Sequence, residues 1–170
     1  IGIHTTNTEN LCRYGVIEID AHGEAGNKPE ATLAAARGWH SRLTSMGFQP
    51  LLWDSDGKGG YHLDLIFREP VTSPDLRWWL KDFVGDHAVY GLLNPPEIFP
   101  KQARINRGGR CPYGNWSRLI GLHHTRPAVP TVWNGSEWLS GAEAVQYVLT
   151  IDGSPSILIP PNAELMGRGR

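Results

Sequence analysis

The stretch Tyr14-Gly15-Val16-Ile17-Glu18-Ile19-Asp20 constrains this chain more than any other. Its apolar members mark a buried strand, yet it closes on two carboxylates two residues apart. Strand side chains alternate between faces, so Glu18 and Asp20 leave the same face about 6–7 Å apart along the chain. Two like charges at the end of a buried strand repel each other and lose hydration, a cost that a cation between them would offset. A hard divalent ion such as Mg²⁺ or Mn²⁺ takes oxygen ligands of this kind. The plainer alternative for the pair alone is an acidic strand end that meets solvent.

At 170 residues the chain is expected to form one domain with a sizeable core. An apolar fraction of 40% with seven Trp suits a folded, soluble protein. No apolar run reaches the length of a membrane span, and the N-terminus lacks a signal-peptide layout. Two distant cysteines, Cys12 and Cys111, make no disulfide framework, so a reducing, cytoplasmic setting is the expectation. The chain begins at Ile1 rather than Met and opens on strand-like sequence, as expected of a fragment of a larger protein.

A net charge of −1 argues against attachment to nucleic acid by bulk charge alone. The distribution is uneven, however. Between Ile98 and Ser136 there is no Asp or Glu, while Lys101, Arg104, Arg107, Arg110, Arg118 and Arg126 all fall there, with His123 and His124. Most acids lie at or before Glu97. A basic segment facing an acidic one suits a surface that holds phosphates beside a metal site.

In chain order, Ile1–Thr5 reads as a short strand before the acidic one, and residues 21–28 as a loop. Pro29 suits the first turn of a helix running to about Met46, with Leu33, Ala36, Trp39, Leu43 and Met46 as its core stripe and Gly47 as C-cap. Pro50–Trp53 is a strand and Asp54–Gly60 a turn. Tyr61–Arg68 alternates as a strand, with His62, Asp64 and Ile66 on one face, and Asp64 is expected to meet solvent rather than serve as a fourth acid near the metals. Ser73-Pro74-Asp75 reads as an N-cap opening a second helix, whose stripe is Leu76, Trp79, Leu80 and Phe83. Glu97–Phe99 and Trp116–Leu122 are further strands. Asn134-Gly135 between Thr131–Trp133 and Glu137–Leu139 is the strongest hairpin signal. Ser140 to about Leu149 is a last short helix, and residues 151–170 read as a loosely ordered tail.

From Tyr14 to Phe99 the order is strand, helix, strand, strand, helix, strand. The expected fold is therefore α+β: a ferredoxin-like, RRM-like βαββαβ sheet with an added N-terminal strand, C-terminal strands and a short helix. In that sheet Glu18, Asp20, His62 and Glu97 converge on one exposed face. Three carboxylates beside basic groups are the parts of a two-metal nucleotidyl-transfer site.

The residues that carry this expectation resemble a family. Glu18-Ile-Asp20, Lys58-Gly-Gly-Tyr-His62, Glu97-Ile-Phe-Pro-Lys101-Gln102 and Asn115-Trp-Ser-Arg118 follow one another as in the archaeo-eukaryotic primase superfamily. The likeness is greatest to the primase–polymerase branch of plasmids, phages and bacterial defence or CRISPR-associated loci, and covers roughly Ile1 to Trp138. The opening Ile1-Gly2-Ile3-His4, with Asn10 and Cys12-Arg13, also fits that branch.

The resemblance implies that residues 1–150 are a catalytic core adding nucleoside triphosphates to a 3′-hydroxyl, or starting primers, on a single-stranded DNA template. It implies metal ligands Glu18, Asp20 and Glu97, binding two Mg²⁺ or Mn²⁺ ions. His62 would touch the incoming triphosphate, with Lys58, Gly60, Lys101, Asn115 and Arg118 around it. Arg104, Arg107 and Arg110 are candidate template-backbone contacts, and Tyr113 a base-stacking one. A helicase or further domains of a full-length protein would be natural partners.

Two departures stand out. Gly60 replaces the usual Ser two residues before the histidine, and Glu precedes Asp in the first motif. Zinc is not expected, because Cys111, His123 and His124 make no closed site.

Two other functions use a similar sheet. A replication-initiator nickase would take His62-Leu63-Asp64 as its metal motif and Tyr147 as nucleophile, leaving Glu18 and Asp20 unexplained. A non-catalytic RNA-binding module stacks bases on sheet aromatics, whereas the motif strand here presents acids.

Overall fold

The structure, a computed structural model, describes residues 1–21, 26–106, 113–122 and 129–162. Apolar alternation builds its centre. β2 (Leu11–Ile19) and β4 (Tyr61–Thr72) pair antiparallel as the two middle strands. β5 (Glu97–Phe99) flanks β2, and β3 (Pro50–Asp54) flanks β4. The short strands β7 (Val132–Trp133) and β8 (Trp138–Leu139) extend that side, giving the order β5-β2-β4-β3-β7-β8. Asn134-Gly135 forms the β7–β8 turn with Gly135 at φ 105°, a conformation that favours glycine. The class is α+β, with antiparallel sheets and three α-helices among the described residues.

Helices α1 (Pro29–Ser45) and α2 (Ser73–Phe83) cover one sheet face. Pro29 opens α1, and Gly47, at φ 89°, follows its last turn. Trp39 and Leu43 of α1, with Leu76 and Leu80 of α2, pack on Ile17, Ile19, Leu63 and Leu65. Two local expectations are corrected. Met46 is 43% exposed, because the helix ends at Ser45 and Met46, its C-cap, no longer follows the helical stripe. The cap of α2 is Thr72 rather than Ser73: the Thr72 hydroxyl accepts from the Asp75 N–H. Ser73 is buried instead, and its hydroxyl donates to the Gln102 carbonyl at 2.8 Å.

The opposite face, expected to be open, is largely covered. β6 (Trp116–Arg118) is shorter than expected, and it pairs with β1 (Gly2–His4) in a separate two-stranded ribbon rather than joining the main sheet. Leu119, which follows the ribbon, packs on Tyr14, Val16 and Phe99. α3 (Gly141–Val148) sets Ala144 and Tyr147 against Leu51, Trp53 and Val132.

Residues 151–162, expected to be loose, dock on β4: Ser154 is fully buried, bridges to Phe67, and accepts from the Gln49 N–H. No helix among the described residues is long and apolar enough to cross a membrane.

Leu63 lies at the middle of this packing and is fully buried. Leu63→Ala is expected to lower unfolding free energy by about 2–5 kcal/mol in urea titrations. A loss below about 1 kcal/mol would mean the described core is not the stabilising one.

Candidate active site on the acidic sheet face

Cross-strand register assembles this site. Glu18 of β2 stands opposite His62 of β4 on one side and opposite Glu97 of β5 on the other. Directly paired residues share a face, so the three side chains form one row across three strands. Asp20 follows just past the end of β2, on the same face by period two. Glu97 therefore lies on the same side of the sheet as Glu18 and Asp20.

The row runs from buried to open. His62 is 2% exposed, while the Glu18 and Glu97 side chains are 25% and 60% exposed. His62 Nε2 lies 3.4 Å from Glu18 Oε1. That imidazole contact holds the Glu18 carboxyl below the usual range against the opposing effect of burial, and the charges of Lys101 and Arg118 add to it. Lys101 Nζ meets Glu97 Oε2 at 2.6 Å and lies over the Phe99 ring. The Arg118 guanidinium donates to the Ser55 carbonyl at 2.8 Å and lies over Trp53. Glu18, Asp20, His62, Glu97, Lys101 and Arg118 thus surround one end of the sheet.

The β3–β4 turn closes the Asp20 side. A Cβ at Gly60 would stand 2.8 Å from Ser55 Oγ and 3.2 Å from Asp20 Oδ1, so this cradle admits only glycine. The Gly60 N–H donates to Asp56 Oδ1 at 3.0 Å rather than pointing free into the site. The Lys58 side chain is exposed at the turn, and its backbone N–H also donates to Asp56.

Other expected residues lie apart. Asn115 is exposed and exchanges hydrogen bonds with Gln102, tying the ribbon to the loop after β5. Arg104 shares a groove with Glu9, Thr72 and Asp75, at the Leu11 end of β2 and hence the far end of the sheet from Glu18. Tyr113 is half-exposed and stacks on His4, with centroids 5.3 Å apart. Arg107, Arg110, Cys111, His123 and His124 fall outside the described residues. Tyr147, the nucleophile of the nickase reading, belongs to the apolar cluster under α3, and burial raises its hydroxyl pKa.

Two residues at the site were not legible in advance. Asp64, expected at solvent, is 2% exposed and accepts from Trp53 Nε1 at 2.8 Å. Burial pushes its carboxyl up to about 6, against the lowering effects of His62, Tyr14 and Trp53. Its Oδ1 and the neighbouring Tyr14 hydroxyl both lack hydrogen-bond geometry. Trp53 pairs in register with His62, and their rings stack at 4.3 Å. Its position at the polar end of β3, opposite His62, a candidate site residue, is the signal that could have singled it out.

Among the described residues, no three His, Cys, Asp or Glu side chains are gathered as a metal cluster. The carboxylates of Glu18 and Glu97 are met by His62 and Lys101 instead. The donor set itself suits a hard cation: three carboxylates at one sheet end, two of them partly accessible, without sulfur ligands. The sequence matches no protein-family model, and no curated protein matches it at a significant level.

The folded state binds the Asp64 proton more tightly than the unfolded chain, whose value is near 3.8. Stability from this group is therefore present at low pH and lost as pH rises towards about 6. Asp64→Asn removes that loss. Relative to the parent protein, the variant is expected to gain on the order of 2–3 kcal/mol between about pH 4 and pH 7 in urea unfolding. A difference that stays constant with pH would contradict a buried, ionising Asp64.

Proposed function

We propose that the chain is the catalytic core of a template-directed nucleotidyltransferase, a primase–polymerase of the archaeo-eukaryotic primase type. In this reading, strands β5-β2-β4-β3 with α1 and α2 are a ferredoxin-like βαββαβ core. The observation that carries the proposal is the row Glu97–Glu18–His62 across adjacent strands, with Asp20, Lys101 and Arg118 at the same end.

Glu18, Asp20 and Glu97 would hold Mg²⁺ or Mn²⁺, which when bound lowers the pKa of an attacking 3′-hydroxyl and neutralises a leaving pyrophosphate. His62, mostly enclosed and braced against Glu18, is suited to donate to a phosphate oxygen from a fixed orientation. Arg118 offers a planar fork to the triphosphate from the ribbon side. Lys101, paired with Glu97 at the rim, is a further cation that would be within reach of a bound phosphate. The templating strand is proposed to be single-stranded DNA, with Tyr113, half-exposed beside His4, as the candidate for base stacking.

The nickase reading draws no comparable support, since Tyr147 packs in an apolar cluster and Asp64 is committed to Trp53. A binding module leaves the acidic row without a purpose.

Primer extension with labelled nucleotides and Mn²⁺ or Mg²⁺ is the direct test. Asp20→Asn and Glu97→Gln are each expected to cut incorporation at least about 100-fold while leaving urea midpoints nearly unchanged. Arg118→Ala should chiefly raise the nucleotide KM. Full activity in Asp20→Asn, or template-independent turnover, would overturn the proposal.

A further inference from the structure

Beneath the acidic row lies a pair whose arrangement the proposed chemistry does not require. Trp53 is fully buried on β3, opposite His62 in register, and the two rings stack with centroids 4.3 Å apart and planes 29° from parallel. The Arg118 guanidinium lies over the same indole, 5.0 Å from its centroid. Its other tie is to the carbonyl of Ser55, two residues beyond Trp53. Two of the nitrogenous groups proposed to grip the triphosphate therefore rest on one ring.

That ring is itself anchored. Its Nε1–H donates at 2.8 Å to Asp64 Oδ2, a carboxylate almost without exposure. A buried indole N–H needs an acceptor, but a backbone carbonyl would serve at lower cost than an ionisable side chain. The Asp64 bond adds a directional contact to an otherwise apolar and stacking environment, so it fixes the plane of the indole. The plane of the indole in turn fixes where His62 and Arg118 can rest.

We propose that Trp53, anchored by Asp64, is a positioning residue that holds His62 and Arg118 at the spacing needed to grip the triphosphate of an incoming nucleotide. The inference rests on the nucleotidyltransferase reading. Trp53 and Asp64 touch no substrate; they act through the two side chains that do, by reducing the reorganisation those side chains undergo when phosphate arrives.

The test separates positioning from packing because the two predict different orders of variants. Asp64→Leu removes the acceptor and also removes a buried acid, two opposing effects on stability at neutral pH, so its urea midpoint is expected to stay close to that of the parent protein. Its affinity for a non-hydrolysable deoxynucleoside triphosphate with Mg²⁺, measured by calorimetry, is nevertheless expected to fall at least about 10-fold. Asp64→Asn keeps a carbonyl acceptor and should restore affinity to within about 2-fold. Trp53→Phe keeps a stacking ring without the N–H and should lower nucleotide affinity as Asp64→Leu does, at some loss of stability.

Parent-like affinity in Asp64→Leu overturns the inference. Should that variant not fold, Trp53→Phe decides in the same way. In the parent protein, the Trp53 indole ¹H–¹⁵N resonance, assigned by its loss in Trp53→Phe, should shift on nucleotide addition. A resonance unmoved at saturation also overturns the inference while leaving the parent reading intact. A parent protein that binds no nucleotide with Mg²⁺ or Mn²⁺ overturns both.

Discussion

The pairing of β2 between β4 and β5 is the constraint on which the rest depends. At Glu18 the register sets an imidazole on one side and a second carboxylate on the other. A slip of one residue would send Glu18 into the helix-covered core and bring Ile17 or Ile19 to the acidic face. The fold resists that slip strongly, because Ile17 and Ile19 are buried against α1 and α2 while Val16 packs on Phe99 beneath the ribbon. Apolar burial on both faces thus holds the charged row in place.

Charge at the end of such a strand is affordable because the protein supplies its own counter-charges. Lys101 meets Glu97, and His62 meets Glu18, with Arg118 near enough to help hold the Glu18 carboxyl ionised. Exposure increases across the row from His62 to Glu97, so the end nearest solvent is also the one held by a flexible lysine. This gradient suits a site that exchanges partners at its rim and stays rigid at its base. The base is built from Trp53, Asp64 and Tyr14, where polar atoms are buried at some cost.

Much of the scaffold was legible in the chain itself. Period-two alternation marked β2 and β4, three-and-four spacing marked α1 and α2, and Asn134-Gly135 marked the β7–β8 turn. Local signals of this kind need no tertiary information. The same-face placement of Glu18, Asp20 and Glu97 also followed from alternation and strand order. The expectations that failed involved tertiary cover. Asp64 alternates like a surface residue, yet it is buried and takes the Trp53 N–H. Trp116–Arg118 reads as one more strand of the sheet, yet it pairs with Gly2–His4, which lies over a hundred positions away in sequence. Met46 continues the α1 stripe in sequence after the helix has ended. The reciprocal Asn115–Gln102 pair and the distant place of Arg104 depend likewise on long loops whose paths carry no periodic signal.

The claim at the centre of this account is that the acids of β2 and β5 act together on one metal-bound triphosphate. Crystals grown with Mn²⁺ and a non-hydrolysable nucleoside triphosphate test it most directly, because anomalous scattering locates manganese independently of the protein. The account predicts anomalous density against the carboxylates of Glu18, Asp20 and Glu97, with Lys101 displaced from Glu97 and the triphosphate reaching His62 and Arg118. Nucleotide bound elsewhere, or manganese absent from those three carboxylates while nucleotide is present, would contradict it.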